Sequence, residues 1–243
     1  LKTIAFDASN QPLTIALFDN QELISQFETN QVKNHSEQLL PGIDQLMQDA
    51  GWRPQDLERV IVSQGPGSYT GLRLAVTTAK TLAFTLGLEL VGVSSLALLA
   101  ANVALADAKD TLIIPLMDAR NQNVYAGQYQ WQGEHLVNII NDQHTPLKAM
   151  PSQIAAQQAV IYVGATPEMQ AEILTQVPQA QFAADNLPHA ANLVQLARTE
   201  PIITAVNAIH QFNPRYLRLT QAEANWQQQH PEAKRQDYVE KVK

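Results

Sequence analysis

Asp7 and Asp118 each close an apolar run of the kind that forms a strand, and each is followed at once by a polar turn. A carboxylate placed there can hold a divalent cation or accept hydrogen bonds from its own turn. The turn after Asp7, "ASNQPL", lacks the glycines that let backbone wrap a phosphate, so turn capping is the expectation at both sites. Arg120 beside Asp118 is either a simple ion pair on the turn or a surface recognition residue. The six histidines, His35, His135, His144, His189, His210 and His230, never fall at the three- or four-residue spacing of a helical metal pair. His35 is expected at a helix start.

The stretch "IVSQGPGSYTGLRLAVTTAKTLAF" places Gly65, Pro66, Gly67, Ser68 and Gly71 between two apolar segments. A nucleophile elbow needs glycine two residues before the serine, where Pro66 stands. A phosphate-binding P-loop needs its second glycine one residue earlier than Gly71, and lysine where Leu72 is. The dinucleotide pattern fails at Thr70. What survives is a glycine turn feeding a helix N-terminus, which any strand-to-helix junction offers. In the helix that follows, Leu72, Ala75, Val76, Ala79, Leu82, Ala83 and Leu86 make an apolar stripe, while Arg73, Thr77, Lys80 and Phe84 fall nearer another face. Gly71 in its first turn costs about 1 kcal/mol relative to alanine. It admits a second backbone, either from the chain's own sheet or from another subunit.

These residues sit on a recognisable series of elements. "KTIAFDAS", "LTIALF" and "ELISQFE" read as a three-stranded meander. In "NHSEQLLPGIDQLMQDAG" Leu39, Leu40, Ile43, Leu46, Met47 and Ala50 recur at helical spacing, with Asn34 and Glu37 matching a capping box and Gly51 ending the run. Pro41 conflicts with that helix, which must start later than Asn34 or bend. The strand "RVIVSQ", the glycine-turn helix to about Leu86, the strand "LELVGV" and the helix "SSLALLAANVALA", capped by Ser94 or Ser95, complete one unit. The same order then returns in "TLIIPLMDA", "VYAGQYQ", "EHLVNIIN", "PSQIAAQQ", "VIYVG", "PEMQAEILTQ" and "LVQLAR". Two such copies predict a duplicated α/β fold of the actin and hexokinase kind, two sheets flanked by helices. The expected division is residues 1–106, residues 107–220 and a polar tail, 221–243, whose Trp226 is a mild hint of docking.

Composition narrows the function classes. The chain has 243 residues, 45% hydrophobic and 16% charged, with a net charge of −7. That balance argues against broad attachment to phosphate backbones or anionic membranes. If RNA is involved, a partner is expected to hold it. Zero cysteines exclude disulfides, thiolate metal sites and a cysteine nucleophile. With no long apolar run and no basic-then-apolar leader, a cytoplasmic protein is expected.

Taken together, "IAFDAS", "NHSEQLLPGID", "VSQGPGSYTGLRLAVTTAKTLA", "DARNQNVYAGQY" and "PRYLR" resemble the bacterial TsaB (YeaZ) family over about residues 1 to 218. The resemblance implies an actin-like fold and a non-catalytic partner of TsaD, which acts with the ATPase TsaE to place threonylcarbamoyl on adenosine 37 of tRNAs reading codons beginning with A. It implies no catalytic residue, metal or cofactor on this chain; ATP or ADP would sit at the complex interface or on the partners, and tRNA would be met only indirectly. Two helices, matching residues 35 to 50 and 69 to 86, would pair with TsaD or with a second copy when TsaD is absent. The interface residues so implied are Leu39, Ile43, Leu46, Tyr69, Gly71, Leu72, Arg73, Ala75, Val76, Ala79 and Lys80, with Gly71, Ala75 and Ala79 allowing close helix approach. The sequence departs from the family pattern at Ala8, Asn10 and Gln11, which weakens the case for nucleotide on this half alone. The competing readings are an actin-type ATP-dependent enzyme or glycoprotease-like peptidase, which would need ligands at Asp7 and Asp118, and a homodimeric binding module with another client.

Overall fold

The computed structural model describes residues 1–30, 35–108, 110–150 and 159–218. Strands β1 (Lys2–Asp7), β2 (Leu13–Asp19) and β3 (Glu22–Thr29) form the antiparallel meander, and β4 (Arg59–Gly65) and β5 (Glu89–Ser94) add in parallel on the other side of β1. The first sheet therefore runs β3-β2-β1-β4-β5. Its counterpart is built from β6 (Leu112–Asp118), β7 (Asn123–Gln132), β8 (His135–Pro146), β9 (Val160–Val163) and β10 (Gln181–Phe182). It runs β10-β9-β6-β7-β8, the same order with its opening strand central. Two mixed sheets of one plan, flanked by helices, make this the duplicated actin-like fold.

The opening strands read as continuous apolar runs because both faces of the sheet are covered. Ile4, Phe6, Ile15, Leu17, Val60 and Val62 face one core, and Ala5, Ala16, Phe18 and Ile61 face another. Among the described residues six α-helices complete the layers: α1 (His35–Asp49), α2 (Tyr69–Leu86), α3 (Ser95–Ala100), α4 (Pro167–Gln176), α5 (Leu193–Leu196) and α6 (Val206–Gln211). Helices α1, α2 and α6 bury their apolar stripes on the outer face of the first sheet. Helices α3 and α5 lie in a core shared between the sheets, beside Ile113, Met117, Tyr129 and Trp131. Helix α4 packs on the far face of the second sheet with Leu112, Ile114 and Tyr162.

Several local expectations meet their outcome here. Ser94 caps α3, its hydroxyl accepting from the Leu96 and Ala97 amides. Helix α1 begins at His35 and continues through Pro41, which lies exposed on its outward side. Strand β8 is longer than "EHLVNIIN", and neither β10, two residues long, nor α6 was expected. The Asn34 cap, the helix at residues 151–158 and the tail with Trp226 lie outside the described residues. After residue 189 the chain returns to the first sheet: the Ala190 amide donates to Thr14 Oγ1 at 3.1 Å, Leu90 bridges Ile203, and the Arg215 amide donates to the Gln64 carbonyl at 2.7 Å. The two halves are also joined by a buried network in which the Ser94 and Tyr129 hydroxyls each donate to Asp142, both at 2.5 Å.

Candidate functional site

The β1–β2 turn and the glycine turn meet directly. Asp7 is completely buried at the end of β1, and its Oδ1 accepts the Ser9 amide at 3.1 Å. Its Oδ2 has no hydrogen-bond partner, although the Ser63 and Ser9 hydroxyls stand beside it, and those two hydroxyls are themselves unpartnered. Burial pushes the Asp7 carboxyl up, and the neighbouring hydroxyls and the Ser9 amide only partly oppose that. Asp118, on the other sheet, is exposed and accepts the Arg120 amide at 2.8 Å. Both carboxylates cap their own turns two residues on, as their places in the sequence predict.

Helix α2 begins against the first of these turns. The Ser68 amide donates to the Ser9 carbonyl at 2.7 Å, and the Ser68 hydroxyl caps the helix by accepting from Gly71. A Cβ on Gly67 would collide with the Ser9 carbonyl, and one on Gly71 with the Ala8 carbonyl. The missing side chains are what let the helix start lie on the β1–β2 turn. The close approach at Gly71 is therefore made within the chain, against the residues that follow Asp7.

The residues implied for partner contact divide sharply. Leu39, Ile43, Leu46, Gly71, Leu72, Ala75, Val76 and Ala79 are all buried. They are covered by the chain's own sheet and neighbouring helices, which bury most of the apolar stripe of α1 and α2. Tyr69 and Arg73 are exposed and Lys80 is partly so, its Nζ donating to the His210 carbonyl at 2.8 Å. The outward faces instead carry Leu40 at 58% exposure, Pro41, Thr77, Thr81 and Phe84 at 55%. Leu40 was noted in the sequence as part of the helical pattern, and Phe84 as off the stripe; neither was singled out for contact.

Between the turn that follows β6 and the start of α2 lies a cleft of about 1160 Å³. Its walls include Ser9, Ser68, Tyr69, Asp118, Arg120 and Tyr125, and the segment 215–218 crosses it. That segment, "RYLR", stacks Tyr216 on Tyr69 with ring centroids 5.2 Å apart, and the Arg218 guanidinium donates to the Ala119 carbonyl at 3.0 Å. Arg73 lies over the Tyr69 ring, 5.4 Å from its centroid, and donates to the Tyr69 hydroxyl at 3.0 Å. Sequence spacing could not place these C-terminal residues beside α2; only the return of the chain does so. Among the described residues no group of three histidine, aspartate or glutamate side chains is placed to hold a metal ion. Nor is any described helix long and apolar enough to cross a membrane.

Comparison with known proteins adds a family context. Residues 22–226 match the family model described as TsaD, tRNA N6-adenosine threonylcarbamoyltransferase. A Bacillus subtilis protein named tRNA threonylcarbamoyladenosine biosynthesis protein TsaB is 35% identical over 228 residues, covering 92% of this chain and 96% of the relative. The Escherichia coli protein of the same name is 26% identical over 146 residues, 58% of this chain and 62% of the relative. A crystal structure from Pseudomonas aeruginosa, of an uncharacterized protein with similarity to peptidase YEAZ, superposes with a TM-score of 0.74 at 28% identity, covering 89% of this chain and 99% of that one.

Proposed function

Because the chain belongs to the TsaB family of tRNA threonylcarbamoyladenosine biosynthesis proteins, we propose that it is a non-catalytic partner of a TsaD-type transferase. It takes part in tRNA threonylcarbamoyladenosine biosynthesis, and on this reading its contribution is a surface. The enzyme it supports attaches the threonylcarbamoyl group to adenosine 37 of tRNAs reading codons beginning with A. A TsaE-type ATPase joins the complex, ATP or ADP belongs to the shared interface or to the partners, and the chain pairs with itself when the transferase is absent. The setting is the cytoplasm.

The observation that carries the non-catalytic reading is the complete burial of Asp7. In an actin-type enzyme a carboxylate at this strand end must reach a metal or phosphate. Here it is completely buried, and Ser68 and Gly71 at the start of α2 lie against the turn that follows it. The partner surface on this reading is the outward side of α1 and α2, with Leu40, Pro41, Tyr69, Arg73, Thr77 and Phe84, in place of the buried stripe. Large exposed apolar groups beside an unpaired arginine suit the core of an interface.

Sizing chromatography of this chain mixed with its cognate TsaD tests the reading. A stable complex that is lost with Arg73→Glu combined with Thr77→Glu, two exposed changes, is the expected result. An unaltered elution of that double variant with TsaD would rule out this face.

A further inference from the structure

We infer that residues 212–218 form a strap that ties the two halves of the molecule across the mouth of the cleft, and that Tyr69 is the catch that a docking protein releases. The strap is seated firmly on the first half. Phe212 is buried in the same core as Leu90 and Val62. Gln64, near the end of β4, then holds the next residues twice: its Nε2 donates to the Asn213 carbonyl at 2.8 Å, and its carbonyl accepts the Arg215 amide at 2.7 Å. Gly65 leaves room for that seat, since a Cβ there would stand 2.7 Å from the Arg215 carbonyl.

The hold on the second half is lighter. The Arg218 guanidinium donates to the Ala119 carbonyl at 3.0 Å, and the Arg215 charge attracts Asp142 of β8. Between these two arginines Tyr216 stacks on Tyr69, with ring centroids 5.2 Å apart. Tyr69 is 48% exposed, and it also carries Arg73, which lies 5.4 Å from its ring centroid and donates to its hydroxyl at 3.0 Å. One ring therefore joins the outward face of α2 to the strap. Below the cleft the halves share a packed core, in which Ile61 of the first sheet and Ile113 of the second belong to one cluster with α3. A molecule packed at its base and strapped at its mouth moves as a hinge, and the strap opposes the opening.

The chemistry of the catch follows from Arg73, and this step rests on the reading of the outward face of α2 as the partner surface. The hydrogen bond that Arg73 gives to Tyr69 goes to a neutral hydroxyl. A carboxylate is the better acceptor for a guanidinium, because it takes two parallel bonds and carries the opposite charge. A docking protein that presents an aspartate or glutamate here draws Arg73 away and turns the Tyr69 ring off Tyr216. The strap then loses its midpoint, Arg218 leaves Ala119, and the halves part. Linkage makes this reciprocal: a chain whose strap is already free docks more tightly by the factor that the stack had opposed.

The test uses the full chain, which has no cysteine of its own, so that Gln26→Cys in β3 and Ala171→Cys in α4, both exposed, take one spin label in each half. Double electron–electron resonance of the isolated protein should give one distance. Tyr216→Ala and Tyr69→Ala should each add a population at longer distance, the two together no more than either alone, with Tyr216→Phe and Arg53→Ala like the wild type. Thermal melts confirm that the variants are folded, and Tyr69→Ala, at an exposed position, keeps the test open should Tyr216→Ala not fold. Titration with the cognate TsaD is the second arm: Tyr216→Ala should bind up to about tenfold more tightly than wild type, the factor an aromatic stack of ordinary strength corresponds to. Unchanged label distances in both alanine variants would overturn the strap. A TsaD complex that forms with equal affinity for wild type and Tyr216→Ala would overturn the catch and leave the partner reading standing. Absence of any TsaD complex would sink that reading and the catch with it, while the longer distances in the alanine variants would still support the strap.

Discussion

Replacing Asp7 by asparagine removes a buried charge while keeping its shape. The asparagine oxygen can still accept the Ser9 amide, a bond now 3.1 Å long. Exchanging a charged acceptor for a neutral one there forfeits about 0.5–1 kcal/mol. In return, the variant no longer holds a charge at a completely buried place, the penalty that pushes the carboxyl up. Removing that desolvation penalty is worth about 1–3 kcal/mol. The difference is a stabilisation on the order of 1 kcal/mol at pH 7, or a melting temperature about 2–4 °C higher for a chain of this length. The pH dependence supplies a second check. Burial raises the Asp7 carboxyl, so the folded wild type holds its proton to higher pH than the unfolded chain does. Its stability therefore declines as pH rises from the ordinary aspartate value of 3.8 through the raised folded value, and Asp7→Asn is free of that decline. Urea unfolding of both proteins from pH 4.5 to 8 should show the variant gaining on the wild type toward neutrality. A variant less stable than wild type by about 2 kcal/mol or more, or an advantage that shrinks as pH rises, would refute the reasoning.

Gly71→Ala should destabilise by about 3 kcal/mol or more, because its Cβ meets the Ala8 backbone carbonyl and neither can give way; denaturant unfolding reads this. The same collision means that Gly71 variants report on folding before they report on partner binding. Asp142→Ala should cost about 2–4 kcal/mol by leaving the buried Tyr129 hydroxyl and Ser94 without their acceptor, and Ser94→Ala, made together with it, should add less than its cost alone. His189 is held by Glu28 and Asp185, both at 2.8 Å; burial pulls its imidazole down, but these two acceptors outweigh it and leave it raised. Its contribution is therefore complete below the ordinary histidine value of 6.5 and fades as pH rises through the folded value, and His189→Gln should flatten that part of the unfolding profile.

The order of elements was legible because each face of each sheet leaves its own period in the chain. Residues such as Ile4 and Phe6 alternate with Ala5 between two cores, and α2 shows its stripe every three or four residues. The capping roles of Asp7, Asp118 and Ser94 were equally local and could be read from their neighbours. The helix stripe itself was misleading about function: an apolar face says that it is covered, and here the sheet covers it, so Leu72, Ala75 and Val76 are core. The exposed face of α2, with Tyr69, Arg73 and Thr77, keeps helical spacing but mixes aromatic, charged and hydroxyl side chains, so no apolar pattern marks it. The cleft was hidden for a different reason. It joins Ala119 to Arg218, 99 residues apart, and Tyr69 to Tyr216, further apart still, and no local spacing encodes such a return. The His189 clamp on Glu28 is another long-range pairing of that kind.

The most direct measurement is nucleoside analysis of tRNA from cells in which this chain is replaced by Asp7→Asn or by the Arg73→Glu, Thr77→Glu double variant. Threonylcarbamoyl adenosine should stay at wild-type level with Asp7→Asn and fall to the level of depleted cells with the double variant. Loss of the modification with a stably folded Asp7→Asn chain, alongside full modification with the double variant, would place chemistry on this chain and contradict its role as a supporting surface.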